Sequence, residues 1–498
     1  MELFHNLTLG IVVAFSLQNV FFCFIGCMVG TLIGVLPGIG PMATIAMLLP
    51  LTYIIPQNAA FIMLAGIYYG AMYGGSTTSI LVNLPGETSS VVTCIDGYQM
   101  ARQGRAGVAL SIAAIGSFFA GTVCTLIIAT FGPPLADMAL KFSSPEYFSL
   151  MLMGLVAAAA LGQGSILKSL AMMVLGLLLG IVGTDVAYGV NRFCFGFYEL
   201  ADGIGFVIIA VGLFAVGEII SNLSNPEERV VFTSKVGSLY PSLQDLKQSI
   251  GPIIRGTGIG AFFGVLPGTT PSIASFGSYM VEKKVAKDPS RFGQGAIEGV
   301  AGPEAANNAD AQCKFIPMLS LGIPASGAMA LMLAALMIHG ITPGPQVMIE
   351  KPDLFWGLIV SMWLGNLMLL VINLPLIGIW VNVLKVPYRL LFPAIMMFAA
   401  IGIYSTNNLS FDVYIAALFG VAGIVWRMLD CSPIPMLLGF VLGPMVEENL
   451  RRSLRVSDGD LTVFVTRPIS LVFIIVTVLL LIVMVLPTIR KRWRVTAG

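Results

Sequence analysis

Gly34-Val35-Leu36-Pro37-Gly38 recurs, residue for residue, as Gly264-Val265-Leu266-Pro267-Gly268, an offset of 230 positions (34 to 264). The match extends outward. Gly26, Gly30, Gly34, Pro37, Gly38 and Pro41 fall on Gly256, Gly260, Gly264, Pro267, Gly268 and Pro271. In both copies an apolar run with a glycine at every fourth position ends in Pro-Gly and resumes at a second proline. Proline removes a backbone donor and clashes with the preceding turn, so it ends a helix. Glycine lets the chain turn and approach a ligand closely. The pattern predicts a helix that breaks and starts again, twice. Looser echoes pair Leu84-Pro85-Gly86 with Ile323-Pro324-Ala325, and Asn222-Leu223 with Asn449-Leu450. The chain therefore divides into a first transmembrane repeat (1–223), a polar linker (224–249), a second repeat (250–450) and an extra C-terminal span with a basic tail (451–498).

Composition says what surrounds the breaks. Hydrophobic residues make up 57% of the 498, charged residues 10%, and mean hydropathy is +0.92. A soluble domain carries about 25% charged residues, and this shortage runs the length of the chain. The reading is an all-α polytopic membrane protein with about 11–14 membrane segments, each needing about 20 apolar residues for a full crossing. Runs at 59–75, 106–132, 312–338 and 353–380 fit spans. Residues 20–36 and 271–282 fit arms of re-entrant hairpins, which persist at membrane depth only where protein or a water-filled cavity covers their backbone. No Lys or Arg precedes Arg102, so the first apolar stretch lacks the basic start of a cleaved signal and is expected to be retained.

Lys and Arg favour the cytoplasmic side. The loop after the first break (Tyr53 to Asn58) has none, whereas the second is followed by Lys283, Lys284, Lys287 and Arg291. Further on, the first half has Arg102 and Arg105, but the matching stretch Gly340 to Gln346 has none. The asymmetry reverses, which predicts two inverted-topology repeats. The linker (Arg229, Lys235, Lys247) and the tail (Arg490, Lys491, Arg492, Arg494) then face the cytoplasm, while Arg451, Arg452, Arg455 and Arg467 run against the rule. Inverted repeats with broken helices are a common design of secondary transporters.

A restarted helix offers free amides and the positive end of its dipole, an anion site that needs no charged side chain. The candidate substrate-binding residues at the breaks are Pro37, Gly38, Ile39 and Gly40, with Pro267, Gly268, Thr269 and Thr270. The alternative is a tight packing kink. Ser76-Thr77-Thr78-Ser79, running on to Asn83 and Glu87, offers hydroxyls for a carboxylate or oxygens for Na+; otherwise these bond back to their own helix. Asn307 and Asn308 add amides, and Glu304 and Asp310 join Ser79 and Glu87 as candidates for coupling to Na+ or H+. Lys314 is the one cation placed to meet an anionic solute directly. Ligands for a coupled Na+ cannot be named from spacing alone.

No nucleophile elbow, HExxH or phosphate-binding loop occurs, so the chain does not read as an enzyme, and no cofactor is implied. His5 and His339 lack partners at metal spacing. The seven scattered cysteines, Cys23 and Cys27 among them, read as small packing residues. A net charge of +1 implies no nucleic-acid partner. A stand-alone symporter or channel remains open, as does an intramembrane enzyme.

The chain resembles the large membrane subunit of bacterial tripartite tricarboxylate transporters. The stretches that carry the resemblance are Gly34 to Pro41, Tyr69 to Ser79, Asn83 to Gly86, Asp96-Gly-Tyr-Gln-Met-Ala-Arg-Gln-Gly104, Gly264 to Gly268, Pro303 to Ala309 and Leu321 to Pro324. Where the family usually continues with small residues after Ala309, this chain reads Asp310-Ala-Gln-Cys-Lys314. The resemblance implies a bacterial inner-membrane importer working with a small membrane subunit and a periplasmic solute-binding protein. That protein would deliver a carboxylate, often citrate, and a Na+ or H+ gradient would drive symport.

Overall fold

The computed structural model describes residues 2–36, 40–161, 165–185, 188–216, 238–266, 269–384 and 388–496. Helices dominate. The first part contains α1 (Glu2–Ala14), α2 (Leu17–Val35), α3 (Pro41–Leu48), α4 (Gln57–Val82), α5 (Val91–Arg102), α6 (Ala106–Ala139), α7 (Ser144–Leu161) and α8 (Ile166–Gly180). After a two-stranded ribbon of β1 (Gly183–Thr184) and β2 (Asn191–Arg192) comes α9 (Phe206–Ala210), continued by a π-helical turn over Val211–Val216. The second part contains α10 (Leu243–Val265), α11 (Pro271–Val285), α12 (Glu298–Cys313), α13 (Phe315–Leu321), α14 (Gly327–Ile338), α15 (Gln346–Glu350) and α16 (Pro352–Asn373). Then follow α17 (Ile377–Val383), α18 (Tyr388–Asn407), α19 (Ser410–Met428), α20 (Pro433–Val456), α21 (Val463–Thr466) and α22 (Pro468–Thr496).

Four of these helices, α2, α6, α16 and α19, are long and apolar enough to cross a bilayer. Large apolar side chains such as Phe21, Phe262, Met280 and Leu418 point outward, while Asp96, Glu304, Asp310 and Lys314 are buried. This inside-out arrangement suits a hydrocarbon surround, where polar groups must find partners within the protein.

The glycine stripes set the helix spacing. A Cβ placed on Gly26, Gly30 or Gly34 of α2 would lie 2.3, 2.5 and 2.2 Å from the carbonyl oxygens of Met63, Ile67 and Ala71 on α4. On α10, Gly256, Gly260 and Gly264 meet Gly302, Ala306 and Asp310 of α12 at 2.2, 2.2 and 2.6 Å. Small residues every fourth position let two backbones come this close in a membrane. The partner carbonyls correspond as well. Residues 63, 67 and 71 are offset from 302, 306 and 310 by 239, the offset of the Leu84 and Ile323 echo. Helix α4 ends on Asn83 (φ 58), and α13, which follows α12 directly, ends on Gly322 (φ 71), both in the left-handed region, where Asn and Gly are the residues that fit.

Packing crosses between the two parts. From the first, α6 lies against α10 and α12; from the second, α16 lies against α2 and α4. Likewise α3 meets α14 and α11 meets α5, while α8 pairs with α20 and the π turn after α9 pairs with α19.

Several boundaries differ from the sequence expectation. The expected arm 20–36 begins three residues earlier, as the 19-residue α2. The run 312–338 is not one span. It is cut at Gly322, and extended chain precedes α14, because a left-handed glycine followed by Pro324 cannot continue a helix. Helix α4 runs past the expected end at 75 through the hydroxyl stretch, where Ser76 and Thr78 find partners on other helices. The 16-residue α12 is wholly inside, although its mean polarity hid it from a hydropathy search. Helix α10 begins at Leu243, within the segment read as linker, and 217–237 lie outside the described residues.

Gly260→Ala should separate α10 from α12 and cost about 1–3 kcal/mol, as overpacking does. Gly258→Ala, on the same helix with nothing within 4 Å, should be neutral or slightly stabilising. Thermal unfolding of the two purified variants checks the contrast.

Candidate functional site

A cavity of about 400 Å³ lies where helix starts converge. Gly40 and Pro41 open α3, Thr270 and Pro271 open α11, Ser326 and Gly327 open α14, and Ser432 precedes α20; all of them line it. The stretch Pro85 to Ser89 forms another wall, with Tyr68 and Met72 from α4. First-turn amides have no partner within their own helix, so four helices of eight residues or more present positive dipole ends to one space. Among the described lining residues, Glu87 is the only charged side chain. Its carboxylate caps the 3-10 turn Thr88–Ser90, and Ser90 caps back on the Glu87 amide. The cavity offers main-chain donors and a few hydroxyls, and no fixed cation among those residues.

The local chemistry of each break follows from the sequence. Pro41 and Pro271 occupy the first helical position of α3 and α11, where a missing N–H costs nothing. The carbonyls left over at the ends of α2 and α10 are met by hydroxyls. Thr78 donates to Val35 O at 2.7 Å, and Thr269 donates to Phe263 O at 2.6 Å and Leu266 O at 2.9 Å. At Gly40 a Cβ would meet nothing within 4 Å, so that position opens into the cavity. Gly86 is tight instead. A Cβ there would stand 2.1 Å from Gly34 O, so the 83–90 loop seats directly on the end of α2.

The expected site residues divide into three groups. Gly40, Thr269, Thr270 and Glu87 line the cavity. Pro37, Gly38, Ile39, Pro267 and Gly268 lie outside the described residues. The others sit elsewhere. Asn83 is an exposed helix end. Ser76, Thr77, Thr78 and Ser79 are buried between helices, and Ser76 donates to Glu304 Oε2 at 2.5 Å. Thr93 of α5 donates to the other oxygen of Glu304. Asn308 bonds Ser117 of α6 at 2.6 Å, while both polar atoms of the buried Asn307 lack a partner. Lys314 does not line the cavity; it is fully buried and ion-paired with Asp310 one turn away.

The Asp96 stretch, singled out only by resemblance, turns out to be a pin. Asp96 Oδ1 accepts from the amides of Gly293, Gly295 and Ala296 at 2.8, 2.8 and 2.9 Å, and Oδ2 accepts from Tyr279 at 2.9 Å. One buried carboxylate thereby fixes the loop that leads into α12 and ties it to α5 and α11. Gln103 adds a bond to Gln294 O at 2.7 Å.

Sequence reasoning missed Gly86, Ser89, Ser326, Gly327 and Ser432 as cavity walls. For the first four a signal existed, because the Leu84/Ile323 echo marks a second pair of interruptions. Ser432-Pro433 had none.

Apolar helices around a cavity lined by helix starts define a membrane protein of transporter type. The chain belongs to the Tripartite tricarboxylate transporter TctA family, which it matches over residues 20–438. It is 56% identical over 492 residues to an uncharacterized 52.8 kDa protein of the TAR-I ttuC' 3' region of Agrobacterium vitis, covering 99% of this chain and 98% of the relative. A protein from the TAR-II ttuC' 3' region of the same organism is 56% identical over 233 residues, which is 47% of this chain and 96% of that one. No solved structure matches the chain.

Asp96→Ala would strand three amides and a tyrosine hydroxyl. It should destabilise the fold by at least about 2 kcal/mol and speed trypsin cleavage after Lys287 and Arg291. Digestion time courses against the parent chain read the effect.

Proposed function

We propose that this chain is the large transmembrane subunit of a binding-protein-dependent secondary transporter that imports a small carboxylate, citrate or another di- or tricarboxylate. The driving force is a Na+ or H+ gradient across the bacterial cytoplasmic membrane. Family membership supports the tripartite assembly, with a small membrane subunit and a periplasmic solute-binding protein as partners.

The observation that carries the reading is the meeting of the α3, α11, α14 and α20 starts around one cavity. Backbone amides and aligned dipoles suit a carboxylate, and a 400 Å³ space falls in the usual range for small-molecule sites, about 300–1,000 Å³. With no fixed cation among the described lining residues, the solute's remaining charge is left to a co-transported cation. Glu304, Asp310, Glu87 and Ser79 are the groups proposed to serve it.

The two parts act in this reading as inverted repeats, with α2–α3 and α10–α11 as re-entrant pairs. The reversed Lys/Arg asymmetry supports it, as do the repeated glycine contacts and the reciprocal packing of α6 and α16. Alternating access then comes from one part of each repeat moving against the rest.

Gly40→Leu should place a bulky side chain in the cavity, since a Cβ there meets nothing within 4 Å. Uptake in cells carrying all three subunits should fall to background, with membrane level and melting temperature unchanged; normal uptake would take the cavity off the solute path. Proteoliposomes holding the two membrane subunits should need added binding protein for uptake. Full-rate transport without it would contradict the tripartite reading.

A further inference from the structure

Helix α12 is enclosed by α4, α5, α6, α10 and α11 and is buried along its length. Glu304, near its middle, is 1% exposed. Most buried acids among the described residues have a basic partner: Glu146 with Arg467, Asp185 with Arg451, Glu282 with Arg255, Asp310 with Lys314. Asp96 has its four donors, and Asp412 accepts from Asn407 at the start of α19. Among the described residues, Glu304 is held by two hydroxyls alone, Ser76 from α4 and Thr93 from α5.

Among the described residues, the groups around it supply no counter-charge. Tyr73 from α4 and Cys94 from α5 are close enough to feel its charge. Helix α10 brings Arg255 and α11 brings Glu282, engaged with each other, while Tyr279 of α11 is engaged with Asp96. Helix α6 brings Ser117, through Asn308, and Cys124 further along. On α12 itself, Glu298 pairs with Arg291 and Asp310 with Lys314. Each of these cations is already held by another carboxylate. An ionised carboxylate at membrane depth without a cation is costly.

We propose that Glu304 is the proton-carrying group of this transporter, which makes the driving ion H+; this rests on the transport reading above. The hydroxyl pair accepts both states of the acid without moving heavy atoms. When Glu304 is ionised, Ser76 and Thr93 donate to it. When a proton arrives on Oε2, the acid donates to Ser76 Oγ, and the Ser76 hydrogen turns to Met72 O, which lies 3.2 Å from that oxygen. A hydroxyl can act as donor and acceptor together, so the proton balance closes within these groups.

The site also reaches the cavity. Met72 lines it, and Thr93 sits two residues beyond Val91, which lines it too. Loading Glu304 therefore changes the hydrogen bonding at Met72, a cavity wall.

Infrared difference spectroscopy of the purified membrane complex in nanodiscs tests proton binding without needing the solute. A protonated-carboxyl band should titrate away as pH rises and be absent from Glu304→Gln. In Thr93→Val the ionised form loses a donor, so the midpoint should move to higher pH. No such band, or one unchanged in Glu304→Gln, overturns the proposal.

Membrane vesicles with all three subunits test coupling, using the carboxylate that the co-expressed binding protein captures. Glu304→Gln, checked for assembly by size exclusion, should keep solute exchange and lose accumulation driven by a pH gradient. Parent-like accumulation in that variant overturns the proposal. So does a parent complex driven by a Na+ gradient at clamped pH and indifferent to a pH gradient. Failure of exchange in the parent complex would instead remove the transport reading, leaving the infrared band to judge the proton site.

Discussion

A helix interrupted inside a bilayer exposes amides and carbonyls that no water can reach, and each unpaired group costs several kcal/mol. The ends of α2 and α10 are held because other backbone packs against them. Gly26, Gly30 and Gly34 bring α4 against α2, and Gly256, Gly260 and Gly264 bring α12 against α10. At that spacing the hydroxyls of Thr78 and Thr269 reach the stranded carbonyls, and Gly86 seats its loop on the end of α2. The close approach of these backbones thus comes first, and the cavity between the restarted helices is its consequence.

The same contacts draw polar residues to the centre. Helix α12 carries Glu304, Asn307, Asn308 and Asp310, and Lys314 follows at its end, all buried. It is stable there because its neighbours supply partners: Ser76 and Thr93 for Glu304, Ser117 for Asn308, and Lys314 for Asp310. A buried ion pair contributes little net stability but is expensive to break. Lys314 is therefore committed to Asp310 and unavailable as a counter-charge for a solute. What remains for the proposed anion site is main-chain dipole. That suits a carrier, because dipolar attraction is weaker than a fixed cation and lets the solute leave.

The Asp96 pin ties these parts together. It joins α5, whose approach forms a cavity wall, to the loop before α12 and to α11, whose start forms another. A substitution far from the cavity can therefore change its shape through a single carboxylate.

The sequence by itself determined the class and the breaks. Low charge and high hydropathy demand a membrane, and Pro-Gly followed by proline interrupts a helix wherever it occurs; both are local, additive properties. The repeat at 34 and 264 announced two equivalent interruptions, and Gly40, Thr269 and Thr270 do line the cavity. Only the tertiary structure decided which polar residues meet there. Ser76 to Ser79 are as hydroxyl-rich as any solute site, yet their helix face turns toward α12 and the end of α2. Lys314 looked like a solute partner until Asp310 was found beside it. Ser432, unremarkable in sequence, became a wall because distant helices begin at the same point. Burial and partnership are set by neighbours hundreds of residues away, which no local pattern encodes.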